Sequence, residues 1–350
     1  MIVLHTDAAY HYVTRERASA QRRTSADLPL DTTMTIAVTP LREDLPFGVR
    51  ISGVTREVLQ DDATRRQIND VFEKRGMIVF ENVEPTSRMH VDISNVFGPL
   101  KDHPVASVAR VDQDAMPGVI DMRHNPDDVT LVEIDGKRVS HWLPWHFDHC
   151  YNNELNRAGV LRAIDIPAEG GLTGFADCID LYNAFSPELR KRIEGLKVIY
   201  TLDLRYSAMR FGLAKSFRLI TEQSGHMQMA EQAKKLPRAI HPAVWTRKSG
   251  EKVMHVSPWM AVGVEHHEDP AGDRLLDEVC QEVLAKVKPY FHKWKHTDMV
   301  VWDNWRMLHC VSGHDPRLAR RMQRTTIKGD YGLGYFENNG KGDKLLEMTV

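Results

Sequence analysis

The chain has 350 residues, 42% of them hydrophobic, with a formal net charge of −2. That is apolar material enough for a large core, and basic residues spread along the sequence leave no stripe for a nucleic-acid backbone. No apolar run reaches the length that spans a bilayer, and the N-terminus carries no apolar secretory segment, so a soluble cytoplasmic protein without nucleic-acid or membrane partners is expected. Cys150, Cys178, Cys280 and Cys310 form no C-x-x-C pair. Their spacing suits a reducing compartment and argues against a disulfide scaffold or a zinc ribbon.

Residues 1–33 are polar, rich in Arg, Ser and Thr, and without sustained periodicity; they read as a loosely ordered extension, with Met34 as a possible natural start. The folded domain is expected over 34–335, followed by a short C-terminal tail over 336–350. A strand-like run opens it at Thr35. Over 62–75, Ile68, Val71 and Phe72 share one helical face, and Gly76 stands where a left-handed C-cap belongs. Met77 to Phe80 then reads as a buried strand. A second amphipathic helix follows Ser87, with Met89, Ile93, Val96 and Phe97 on one side and Gly98 after it. Ser186-Pro187-Glu188 is a serine cap with proline in the first turn, and Leu275, Leu276, Val279, Val283 and Val287 form a stripe over 274–288.

Short strand-like runs lie between the helices at Val198–Tyr200, Lys252–Val256, Met299–Trp302 and Thr325–Ile327. Asp135-Gly136, set between two alternating segments, predicts a two-residue hairpin turn. The order does not repeat as strand-helix-strand units, and no G-x-G-x-x-G or P-loop is present. The fold class expected is therefore β-rich α+β, with a double-stranded β-helix (jelly-roll) core flanked by helices.

The chemistry-bearing residues begin with His146-Phe147-Asp148. On a strand alternate side chains share a face, so His146 and Asp148 would address one ion while Phe147 packs away from it. His309, far downstream, supplies a third ligand. Two histidines and one carboxylate cover one face of an octahedral metal and leave the opposite positions exchangeable, as in non-haem Fe(II) oxygenases. The same set also serves catalytic zinc, so a zinc-dependent hydrolase stands as an alternative, as does a non-catalytic jelly-roll binding protein.

The second block, Val301-Trp-Asp-Asn-Trp-Arg-Met-Leu-His309, precedes Arg320, eleven residues beyond the histidine, and Arg324. With Pro167-Ala-Glu-Gly-Gly-Leu-Thr173, whose threonine lies 27 residues past His146, the chain resembles the TauD/TfdA family of Fe(II)- and 2-oxoglutarate-dependent dioxygenases. Weaker matches at Phe97-Gly98-Pro99, His103-Pro104 and Ile240 to Gly250 extend the similarity from about residue 40 to 330.

This resemblance implies that His146, Asp148 and His309 bind Fe(II). Thr173 and Arg320 would hold the distal carboxylate of 2-oxoglutarate, with Arg324 nearby and, in several members, on an anionic substrate group. A guanidinium fork and a hydroxyl suit a carboxylate better than a lysine would. With O2 as the other co-substrate, the reaction implied converts 2-oxoglutarate to succinate and CO2 and hydroxylates a small organic molecule, or cleaves it after hydroxylation. Arg321, of opposite parity to Arg320 and Arg324, is expected to face away. His103, Trp142, Trp145, Trp259 and Met260 are candidates for the substrate pocket. His149, His266, His267 and His314 are read as non-ligands. Relatives of this kind often form dimers or tetramers, so the resemblance leaves a homo-oligomer open, while the sequence does not set the oligomeric state. Between His103 and His146 lie 42 residues, longer than the taurine-type pattern, so the substrate is not transferable by analogy.

Overall fold

The computed structural model describes residues 36–102, 109–112 and 116–339. The extension over 1–33, His103 and most of the expected tail lie outside these residues. Among the described residues the strands form one eight-stranded and one six-stranded sheet, with a four-stranded and a two-stranded sheet beside them. The β-rich expectation is met.

The eight-stranded sheet runs in the order Ala37–Pro40, Val49–Ser52, Met77–Phe80, Met299–Asp303, Ala158–Asp165, Arg321–Ile327, Met116–Arg123, Arg110–Asp112. All its pairings are antiparallel except Val49–Ser52 with Met77–Phe80, which is parallel and is bridged by the helix Asp62–Arg75. That helix forms where its stripe predicts: Ile68 and Phe72 are buried, Asp61 accepts from the Thr64 amide as N-cap, and Gly76 ends it at φ 73°. The helix Ser87–Phe97 is capped by Thr86. It packs Met89, Ile93 and Val96 into the same apolar cluster as Ile68, Phe72, Phe80 and Val160.

The six-stranded sheet runs Arg218–Thr221, Leu131–Ile134, Lys137–His146, Met307–His314, Thr173–Asp177, Tyr290–His292. Ile134 pairs with Lys137, so Asp135 (φ 50°) and Gly136 (φ 75°) are the two central residues of a tight hairpin with left-handed geometry at both. This turn fixes the register of the strand that ends in His146.

Several boundaries differ from the expectations. The stripe over 274–288 belongs to a longer helix, Pro270–Lys286, which Asp269 starts by accepting from the amides of Ala271 and Gly272; Asp-Pro is the signal that marks the true start. Val287 lies just past its end. The strand expected from Thr325 starts at Arg321. The fold also continues past residue 335: Phe336 pairs with Ala239 and is buried, and Glu337 bonds Arg238, so the first residues assigned to the tail belong to the domain. No helix among the described residues is long and apolar enough to cross a membrane.

Candidate active site

His146 is the last residue of its strand, and in the antiparallel pairing it stands directly opposite His309. Opposed residues of this kind present their side chains on one face a few ångströms apart, and the two imidazole centroids are 4.1 Å apart. The chain then leaves the sheet. Asp148 lies in the turn beyond the strand, so strand alternation does not account for its position, contrary to the expectation from H-x-D. Phe147 is fully buried, with its ring stacked on His255 at 3.8 Å. That anchor turns the chain and brings Asp148 back toward the two rings.

Asn304 completes the placement. Its Oδ1 accepts from the Asp148 amide at 2.8 Å, and its Nδ2 donates to the Asp148 carbonyl at 3.0 Å and to Asn156 Oδ1 at 3.0 Å. Asn304 is completely buried. It was not among the expected site residues, although its signal is in the sequence as the asparagine of the W-D-N block. One ligating atom from each of His146, Asp148 and His309 falls within 4.8 Å of the others.

The electrostatics suit a divalent cation. The His146 Nδ1–H donates to the Pro144 carbonyl at 2.7 Å, a tautomer that leaves Nε2 as a lone pair. Burial pushes both imidazoles below their usual range, so both are neutral and able to ligate. Burial alone would raise Asp148, but the charge of Arg324 holds its carboxyl well below the usual range. Arg324 donates to Asp148 Oδ1 at 2.9 Å, while Oδ2 is buried without a hydrogen-bond partner among the described residues. Two neutral imidazoles and an ionised carboxylate with an unused oxygen fit the donor set of Fe(II).

Thr173 opens the strand Thr173–Asp177 and pairs with Val311, two residues from His309 and on its face. Its hydroxyl accepts from Trp294 Nε1 at 3.1 Å and retains its own proton to donate. Arg320 sits just before the strand Arg321–Ile327, which pairs regularly with Met116–Arg123 from Arg321 to Arg324; the register shift against Ala158–Asp165 places an extra residue on that neighbouring strand. Its Nε is buried and has no hydrogen-bond partner among the described residues. Burial without a partner lowers the guanidinium to about 10. Gly171 makes room beside it: a Cβ there would lie 3.4 Å from Arg320 Nε and 2.7 Å from Pro167 Cγ. Arg321 instead pairs with Asp121 through two bonds of 2.8 Å, away from these residues.

Trp259 meets the His146 ring edge-on at 5.1 Å, and its indole nitrogen is buried without a partner among the described residues. Trp142 packs against Tyr206 and Phe217 with centroids 5.4 and 5.3 Å away, in an apolar cluster that includes Trp259 and Met260. Trp145 belongs to a different apolar cluster, beside Phe147 and Cys310. His149 and the exposed pair His266-His267 stay outside the converging ligand atoms. His314 also stays outside them; it ends the strand Met307–His314 and is buried.

Residues 37–326 match the model of the taurine catabolism dioxygenase TauD, TfdA family. The (S)-phenoxypropionate/alpha-ketoglutarate-dioxygenase of Sphingobium herbicidovorans is 27% identical over 288 residues, 82% of this chain and 93% of the relative. The alpha-ketoglutarate-dependent 2,4-dichlorophenoxyacetate dioxygenase of Cupriavidus pinatubonensis is 25% identical over 303 residues, 85% and 99% of the two chains. Among solved structures, AAD-2 in complex with Mn(II) and N-oxalylglycine superposes with a TM-score of 0.63 at 21% identity, covering 85% of this chain and 98% of that one. A taurine dioxygenase from Burkholderia xenovorans gives 0.59 at 20% identity, covering 87% and 94%. At those identities the structural likeness speaks for the fold.

Proposed function

Since the chain belongs to the taurine catabolism dioxygenase TauD, TfdA family of Fe(II)- and 2-oxoglutarate-dependent enzymes, we propose that it oxidises a small organic acid with an apolar, aromatic body. On this reading the two large sheets are the halves of a double-stranded β-helix, with the site between them. His146, Asp148 and His309 would hold the iron; their mutual approach within 4.8 Å is the observation that carries the reading. Bound Fe(II) supplies O2 activation, coupling decarboxylation of 2-oxoglutarate to succinate and CO2 with insertion of one oxygen atom into a substrate C–H bond.

The chain's own residues do the positioning. Arg320 and the Thr173 hydroxyl receive the distal carboxylate of 2-oxoglutarate, which satisfies the orphaned Arg320 Nε and offsets its burial. Arg324 holds Asp148 ionised and fixes one of its oxygens, leaving the other toward the metal. Asn304 fixes the Asp148 backbone so that the carboxylate needs no reorganisation on loading. Trp259 presents an apolar face beside His146 and an unpaired N–H that a substrate carboxylate can accept. Trp142, Tyr206 and Phe217 continue that apolar wall.

The relatives named for phenoxypropionate and 2,4-dichlorophenoxyacetate act on acids of this kind. The test is a panel of aryloxyalkanoates, arylalkanoates, alkylsulfonates and alkyl sulfates, read as substrate-dependent succinate release with Fe(II) and 2-oxoglutarate. Turnover confined to aromatic carboxylates is expected. Turnover confined to aliphatic sulfonates or sulfate esters would overturn the substrate class while leaving the dioxygenase reading intact.

A further inference from the structure

A second group of histidines stands apart from the ligands described above. His124 follows the strand Met116–Arg123, His141 lies within Lys137–His146, and His314 ends Met307–His314, so the three join the two large sheets. Their ring centroids are 4.8 Å apart for His124 and His141, and 5.3 Å for each with His314. One ligating atom from each lies within 4.8 Å of the other two.

The hydrogen bonds leave one ring nitrogen of His124 and one of His314 as a lone pair. His124 Nε2 donates to the Pro316 carbonyl at 2.8 Å, which leaves Nδ1 as an acceptor, and that atom is buried with no partner among the described residues. His314 Nδ1 donates to the Asp315 carbonyl at 2.8 Å, leaving Nε2, which lies 3.2 Å from His141 Nδ1. Backbone carbonyls that fix the outer nitrogen and free the inner one are what orients metal-binding imidazoles. His141 is held at φ 50°, a conformation that a non-glycine residue adopts at a cost in strain.

We propose that His124, His141 and His314 form a second metal site, which takes Zn2+ or a comparable divalent transition ion through His124 Nδ1, His141 Nδ1 and His314 Nε2. A shift of the His141 proton to its outer nitrogen supplies the third lone pair. Small ring rotations bring the three nitrogens to the separation a tetrahedral ion requires, with water in the fourth position. Burial, then the charge of Arg320, keeps His141 down at about 3; burial likewise lowers His314, so both are neutral at physiological pH.

Arg320 links this site to the co-substrate. The His124 amide donates to the Arg320 carbonyl at 2.9 Å, and the guanidinium charge opposes a cation on the three rings. A dicarboxylate on Arg320 removes that opposition, so 2-oxoglutarate and zinc should each tighten the other. This coupling rests on the assignment of Arg320 as the carboxylate anchor; the metal site does not.

The test uses the full chain carrying His146→Ala and His309→Ala, which removes the first centre. After dialysis against zinc sulfate, metal analysis should find one zinc per chain, and zinc-edge X-ray absorption should show three nitrogen neighbours at about 2.0–2.1 Å. Adding His124→Ala should abolish that equivalent, with circular dichroism confirming the fold. In the unmodified chain, zinc should protect His124, His141 and His314 from acylation by diethylpyrocarbonate, mapped by mass spectrometry; this readout needs no variant. 2-Oxoglutarate should tighten zinc about fivefold or more. Absence of bound zinc, retention of it by the His124→Ala protein, or protection confined to surface histidines overturns the site. Unchanged affinity with 2-oxoglutarate overturns the coupling alone.

Discussion

On the proposed reading, single side chains divide the chemistry into metal, co-substrate and support. Asp148→Ala removes the only anion of the metal set, and succinate formation should fall at least about 100-fold while the circular dichroism spectrum is unchanged. Full activity in that variant would remove Asp148 from the ligand set. Asn304 touches no ligand atom, yet it fixes the Asp148 backbone from both sides. Asn304→Ala should weaken Fe(II) binding about 10–100-fold, measured by titrating the visible absorption that develops with 2-oxoglutarate. Arg320→Lys keeps the charge but loses the planar fork, so the KM for 2-oxoglutarate should rise about tenfold or more with little change in that of the primary substrate. Equal rises for both would place Arg320 elsewhere. His146, His309, Thr173 and Arg320 stand out in the sequence because their types and spacing match the pattern the resemblance rests on. Asn304 is less visible because an asparagine that bonds a backbone carries no mark of its partner.

Among elements, the local signals read well where one residue decides the geometry. Gly76, Asp135-Gly136 and Ser186-Pro187 each sit where their conformational preference puts them. The strand reading of His146-Phe147-Asp148 fails because burial of Phe147 against His255 outweighs continuation of the strand. Alternation describes a strand, and at Asp148 there is none. Phe147→Ala should therefore cost about 3–5 kcal/mol of stability and also loosen Asp148, seen as a lower denaturant midpoint together with weaker Fe(II) binding. The Gly170-Gly171 turn is equally constrained, with φ of 72° and 64°. Gly171→Ala adds left-handed strain of about 1–2 kcal/mol and a clash with Pro167, beside Arg320. A raised KM for 2-oxoglutarate alongside a lower melting temperature is the expected result; a lower melting temperature alone would mean the turn does not position Arg320.

At the scale of the whole molecule, the core holds histidines that the first metal centre does not use. His90 and His255 are pushed down to about 3 and His241 to about 4, in each case chiefly by burial. Each stays neutral in the folded chain while the unfolded chain binds its proton near pH 6.5. Their stabilising effect is therefore complete above that pH and is lost as pH falls toward their folded values, by up to about 1.4 kcal/mol per pH unit for each histidine. Urea midpoints should decline steadily from pH 7 to pH 5, and His255→Gln should flatten that slope. A midpoint constant over this interval would mean that these rings are protonated in the native state.

The sequence by itself determined the family, the chemistry of the donor set and most local turns and caps, because each depends on residue type and short spacing. Only the tertiary structure decided that His146 faces His309 across one strand pair, that Asp148 is returned to them by a turn held on Phe147 and Asn304, and that three further histidines gather where the two large sheets meet. Those contacts join residues far apart in the chain. Their register follows from how the sheets pack and pair, which no local preference encodes.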